Sequence, residues 1–244
     1  MNVTRGSSLS SLDSLPVFAR LAAELHQEPD EATVSQAIVT RLREVVPEAR
    51  RVSLAVRESR GLRTAASSDR LANEADALQY ALGEGPAIDV VDQGGWLRVG
   101  DVESDVRWQG WAPRASAVGV RSLLTLALVE GEETLGALTA YGADTGGFSD
   151  REVVEHALAY AAHAATALAC TRRAATLETA VSSRHVIGMA QGIAMERYGI
   201  DAQQSFELLR RLSSTTNVKL RDVAAQIVET RTIPVERSRE HAED

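Results

Sequence analysis

Two sets of residues in this 244-residue chain have types and spacings that could do chemistry. The first lies between Arg184 and Arg221. Gly188 and Gly192 are four apart, so on a helix they share a face. Each glycine weakens a helix by about 0.5–1 kcal/mol relative to alanine. A pair on one face therefore has either a packing role, as a notch for another helix, or a binding role, as a place where a ligand's backbone or base comes close. Arg184, Gln191 and Arg197 are polar positions on the same stretch, able to face phosphates or simply water. Lys219 and Arg221 flank the expected start of a later helix, where free N–H groups and the helix dipole also favour anions. Asn217 is placed to cap that helix or to meet a base. The second set is Trp96, Arg98, Arg107 and Trp108. Aromatic walls beside guanidinium groups suit a planar or anionic small molecule. The same residues also suit a structural core with an ion pair at its surface.

Other chemistry finds little support. The chain has no G-x-S-x-G nucleophile elbow and no kinase lysine–glutamate–DFG set. Leu82-Gly83-Glu84-Gly85-Pro86 lacks the Lys-Ser/Thr of a phosphate-binding loop, so its glycines are read as shaping a loop before a helix that starts near Pro86. His156 and His163 are seven apart, whereas metal pairs on helices use three or four. Cys170 is the only cysteine, which excludes an intrachain disulfide; it is read as a small buried group on a helix. The expectation is a protein that is not an enzyme and carries no cofactor and no metal.

Charge is unevenly distributed. The net charge is −8, yet residues 172–231 carry a net of +3 while residues 1–171 carry −9. An acidic body with a mildly basic C-terminal unit permits nucleic-acid binding there. No apolar run of membrane-spanning length occurs, and the Ser-rich N-terminus lacks the apolar core of an export signal. The expected location is the cytoplasm.

The elements that must position these residues can be read from periodicity. Val17, Phe18, Leu21, Ala22 and Leu25 follow helical spacing, as do Val34, Ile38, Leu42 and Val45 before Pro47. Val52, Leu54 and Val56 alternate with polar residues as a strand does, and Leu62, Thr64 and Ala66 repeat the pattern. Arg121 to Val129 and Thr134 to Tyr141 are two further strands joined by a turn. These predict an α+β sheet with helices on one face. A Ser149–Glu152 capping box opens a long helix over Val153 to Val181. Its stripe of Val154, Leu158, Ala161, Ala165 and Leu168 could seat an identical helix, giving a homodimer through the 150–181 helix. Three shorter helices follow. Arg184 to Tyr198 ends at Gly199. The next is capped by Asp201 with Gln204, buries Phe206, Leu209 and Leu212, and breaks at 213–217. The last carries Leu220, Val223, Ala224, Ile227 and Val228 on one face.

The stretch Ser183-Arg184-His185-Val186-Ile187-Gly188-Met189-Ala190-Gln191-Gly192-Ile193-Ala194-Met195-Glu196-Arg197 resembles the opening helix of the ANTAR family of RNA-binding antitermination domains. Ser205-Phe206, Leu209-Arg210, Ser213 and Lys219-Leu220-Arg221-Asp222-Val223-Ala224 extend the resemblance over about residues 170–231. Met189 stands where that family usually has Gln. Gln191 replaces a Lys, removing a phosphate contact, and Ala194 replaces a Leu, thinning the core. The preceding region resembles the GAF domains that accompany ANTAR in actinobacterial regulators, through Leu82-Gly83-Glu84-Gly85-Pro86, Asp101, Asp105-Val106-Arg107-Trp108, Gly119-Val120-Arg121-Ser122 and Leu135-Gly136-Ala137-Leu138. Many relatives have Cys where this chain has Ala87, so sensing through that thiol is absent.

The resemblance implies an α+β GAF sensor domain (antiparallel sheet with flanking helices) over 14–169 and a C-terminal three-helix ANTAR bundle over 170–231. Residues 1–13 and 232–244 are expected as disordered tails. It also implies a homodimeric regulator that senses a signal, with an unknown small-molecule ligand in the GAF domain, and binds structured RNA. The RNA would be stem-loops in nascent transcripts, and binding would prevent termination. Arg184, Gly188, Gln191, Gly192, Arg197, Asn217, Lys219 and Arg221 form the expected RNA contact set. Two other readings stand beside it: a DNA-binding helix-turn-helix regulator, disfavoured by an expected gap of several residues between the last two helices, and a dimeric interaction module that binds no nucleic acid.

Overall fold

The computed structural model describes Leu25 and residues 28–233. The helix expected over Val17–Leu25 falls outside these residues except for Leu25, which is helical and fully buried. The chain divides into two compact units between Arg173 and Ala174, a few residues after the expected boundary.

In the first unit, α1 (Glu31–Val45) starts where the Asp30 carboxylate accepts from the Thr33 N–H at 2.8 Å. Strands β1 (Arg51–Glu58) and β2 (Gly61–Ser67) follow as a hairpin. Then come α2 (Arg70–Leu82), α3 (Pro86–Gln93), β3 (Trp96–Val99), α4 (Trp111–Ala117), β4 (Ser122–Glu130) and β5 (Glu133–Gly142). The five strands pair antiparallel in the order β2-β1-β5-β4-β3.

Helices cover both faces of this sheet, which corrects the one-faced arrangement expected from sequence. Residues Val52 to Val56 are buried consecutively, as a strand must be when both sides are covered. On one side, Val52, Leu54, Leu126 and Leu138 pack with Ile38 and Leu42 of α1 and with Ala161, Ala165 and Leu168. On the other, Leu123 and Tyr141 pack with Ala72, Ala75, Trp108 and Trp111 of the α2–α4 layer.

The long helix α5 runs from Arg151 to Tyr198 as one element of 48 residues. The expected break near Ser182-Ser183 is not there, because no proline interrupts the ladder and serine fits a helix interior at modest cost. Asp150, rather than Ser149, supplies the first cap, accepting from the Glu152 N–H at 2.9 Å. The stripe expected as a dimer seam is engaged inside the first unit. Ala161, Ala165 and Leu168 are buried in its core, and Leu158 packs against it. Tyr160 of the same helix donates to the Ile38 carbonyl at 2.9 Å.

The second unit takes the C-terminal part of α5 with α6 (Ala202–Thr216) and α7 (Leu220–Thr230). Ala190 and Ala194 meet Leu209, Leu212, Val223, Ala224 and Ile227 in its core. Ile233, expected in a disordered tail, is also buried there. Phe206, expected inside, is 41% exposed.

Candidate nucleic-acid interface

The inward side of the bundle's first helix is set by Ala190 and Ala194, both fully buried. Gly188 and Gly192 fall on the opposite, exposed side. A Cβ built at either would meet nothing within 4 Å. Among the described residues they are therefore no packing notch: they leave a bare strip of helix backbone. Met189 (39% exposed) and Met195 (37%) stand beside it, with exposed Arg184 and His185 one turn back.

Gly192 also lines an open groove of about 550 Å³ together with the apolar Met189, Ile193 and Val228. Arg197 and Arg231 both line it, with Glu196 as the one carboxylate. Among the described residues none of these three charges has a salt-bridge or hydrogen-bond partner within the bundle. Arg231 was missed in the sequence. It ends α7 in the left-handed conformation, φ 54°, a placement that the apolar face of α7 does not announce.

The remaining candidates are dispersed. Gln191 is half-buried and donates from Nε2 to the Ala202 carbonyl at 2.9 Å and to Ser205 Oγ at 3.3 Å. That side chain holds the first turn of α6 and is not a free outward arm, as its polarity had led us to expect. Asp201 completes that turn, with the expected reciprocal capping by Gln204. Asn217 caps the C-terminus of α6, at φ 55°, and not the start of α7. Lys219 occupies the N-cap position of α7 without a side-chain cap bond. Arg221 lies next to Asp222, 3.2 Å away, in a second groove that includes Glu178 and Ser183. The connection between α6 and α7 is three residues, 217–219, because α6 continues through Thr216, whose hydroxyl donates to the Leu212 carbonyl at 2.7 Å. A gap this short lies within the helix-turn-helix range. Loop length therefore does not separate an RNA binder from a DNA binder.

In the first unit, the structure brings Arg107 and Trp108 together, while Trp96 and Arg98 stand on β3. Trp108 is buried, donates from Nε1 to Asp89 at 2.9 Å, and meets Trp111 edge-on at 5.7 Å. Arg107 lies 4.4 Å over the Trp108 ring and is paired with Asp105, whose carboxyl it holds below the usual range. Arg98 donates to the carbonyls of Gly146 and Gly147, and Trp96 is half-exposed. The Leu82–Pro86 motif is a clamp. Glu84 accepts from the N–H groups of Gly110 and Trp111 at 2.6 and 2.7 Å, and Gln79 accepts from Ala87 N–H at 2.8 Å. Gly85, at φ 146°, leaves the space that the Gln79 side chain fills. A groove of about 420 Å³ does open elsewhere in this unit, between the β1–β2 turn and α2–α3, lined by Arg60, Leu62, Tyr80 and Ile88. Cys170, expected buried, is exposed beside Arg173.

A buried polar hub lies beneath α2. Asp76 is fully buried and accepts from Ser53 at 2.9 Å, Thr64 at 2.8 Å and Tyr141 at 2.5 Å. Burial raises its pKa above the usual carboxylate value, against the pull of those hydroxyls.

The first unit is thus an antiparallel sheet between two helical layers, and solved structures share this fold. The free methionine-R-sulfoxide reductase of Neisseria meningitidis, in complex with its substrate, matches with TM-score 0.54 and 17% identity over 71% of this chain and 98% of that one. The GAF domain of a phosphoenolpyruvate-protein phosphotransferase from Coxiella burnetii matches with TM-score 0.55 and 18% identity over 68% and 99%. The corresponding Acinetobacter GAF domain gives 0.53 and 11% over 67% and 96%. At these identities the likeness concerns the fold. No curated protein sequence matches the chain. The GAF domain family model matches residues 28–169 and the ANTAR domain model residues 175–228. The chain belongs to the GAF family and has the architecture of a GAF–ANTAR regulator, a sensor domain followed by a module of an RNA-binding antiterminator family. Among the described residues no helix is long and apolar enough to cross a membrane.

Proposed function

We propose that this chain is a cytoplasmic, signal-responsive regulator that binds stem-loops in nascent transcripts through residues 174–233 and prevents transcription termination. The carrying observation is the ANTAR match over 175–228, joined to an outward helix face kept bare by Gly188 and Gly192, with exposed Arg184 one turn back and Arg197 in the groove that Gly192 also lines. Unstacked loop bases need close approach to a flat surface with cations nearby, and this face offers both. Within the expected set, Arg184, Gly188, Gly192, Arg197 and Lys219 are the contacts we retain. Gln191 and Asn217 act by holding and ending α6, and Arg221 is paired with Asp222. The three-residue α6–α7 turn keeps a DNA-binding regulator as the second reading.

We further infer a homodimer, with its seam moved along the helix. Ala174, Leu177 and Val181 share one side of α5, and Leu177 and Val181 are 66% and 67% exposed. Pairing two such faces removes apolar surface from water. We assign the small-molecule signal to the groove in the GAF unit that Tyr80 and Arg60 line. The functional test is crosslinking of RNA to the protein in cells, followed by sequencing. Enrichment of stem-loops that overlap terminators is expected; recovery of duplex DNA, or of RNA without stem-loops, contradicts the reading.

A further inference from the structure

Resting on the RNA reading, we propose that the groove lined by Gly192 and Glu196 receives a single unstacked guanine of the RNA loop, with Glu196 as its specificity-determining residue. The groove's chemistry is unequal to that of a general phosphate site. Met189 and Val228 give it apolar walls of the kind that flank a base, and the missing side chain of Gly192 lets a planar ring lie on the helix. Arg197 and Arg231 stand at the same groove, suited to the two phosphates that flank one nucleotide. The remaining group, Glu196, opposes an RNA backbone, so it needs a partner that donates. Guanine is the base whose Watson–Crick edge places two donors, N1–H and the N2 amine, side by side before one carboxylate. Adenine and cytosine each offer one amine beside an acceptor, and uracil offers one imino group. A carboxylate that shares its groove with two cations therefore selects guanine, while the cations hold whatever RNA presents it.

The test uses the full chain and hairpin RNAs of one stem, whose loops are uridine except at one position carrying guanosine, inosine or adenosine. Guanosine should bind about ten- to a hundredfold tighter than adenosine, with inosine, which lacks the N2 amine, between them. Glu196→Gln should collapse the guanosine-to-adenosine ratio toward one, although removing a negative charge raises affinity for every hairpin. The ratio is the readout because a merely electrostatic Glu196 would leave it unchanged. Arg197→Ala and Arg231→Ala should each weaken all hairpins alike and make the negative log–log salt slope shallower by about 0.7–0.9. Glu196 is exposed, so its variant should fold as the parent does; an unchanged thermal transition checks this. If the parent binds hairpins without preferring guanosine, or if Glu196→Gln keeps the preference, the base assignment is overturned while RNA binding stands. If the parent shifts no hairpin, both are overturned.

Discussion

Gln191 donates from Nε2 to the carbonyl oxygen of Ala202 at 2.9 Å, and so fastens the first turn of α6 to the helix that carries Gly188 and Gly192. The bond reaches over an eleven-residue separation and closes the corner where the chain reverses through Gly199, itself at φ 62°. A polar residue that looks outward in the sequence is here a bracket. Gln191→Ala should destabilise the C-terminal bundle by about 1 kcal/mol, the usual net worth of one hydrogen bond, read by chemical denaturation. Gln191→Lys should leave the salt slope of RNA binding unchanged. A slope steeper by about 0.7–0.9 would show that this side chain faces phosphate after all.

The glycine strip separates stability from function. Gly188→Ala and Gly192→Ala place a methyl in open space, so each should stabilise the bundle by roughly 0.5–1 kcal/mol through helix propensity. Each should also weaken hairpin RNA binding by lifting a ligand off the helix. Thermal unfolding and RNA titration of the same samples test both signs. A stabilised variant with undiminished binding would remove the strip from the interface.

Oligomeric state distinguishes two parts of one helix. Ala165→Glu buries a carboxylate in the GAF core and should unfold that unit, because an unpaired buried charge costs several kcal/mol. Leu177→Glu and Val181→Glu change exposed positions, so the fold should persist while sedimentation shifts from dimer to monomer. A parent chain that sediments as a monomer, or variants that remain dimeric, would refute the seam.

The Asp76 hub has a pH signature. Its folded pKa lies above the unfolded value. Its contribution is thus fully present below the unfolded pKa and declines as pH rises through the folded one. Asp76→Asn keeps an acceptor for Ser53 and Tyr141 and should flatten that decline above about pH 4. Asp76→Ala leaves several buried hydroxyls without their acceptor and should cost about 3 kcal/mol or more. Parallel denaturation curves across pH for parent and Asp76→Asn would contradict this.

Much of the bundle was legible because its signals are local. Asp201 with Gln204, Gly199, and the Leu220–Val228 stripe each specify geometry within a few residues. The four long strands were legible for the same reason. β3 is only four residues long, and α4 only seven, too short for a period to emerge. The faces were harder. Whether the Ala161–Leu168 stripe met its own sheet or a second copy depended on α1 and the strands closing over it, a tertiary fact. Trp108 and Arg107 suggest a pocket in the sequence, but nothing there announces that Asp89 and Asp105 engage them. Gln191 was misread because its partner lies across a corner.

The central claim is that the unit formed by α5, α6 and α7 recognises structured RNA, and an electrophoretic comparison tests it most directly. The full chain is titrated against a hairpin RNA and a duplex DNA of the same sequence at rising salt. The account predicts preference for the hairpin at physiological salt, with a negative log–log slope set by the few cations in contact that becomes shallower by about 0.7–0.9 on Arg197→Ala. Equal binding of hairpin RNA and duplex DNA, or binding of neither, would contradict it.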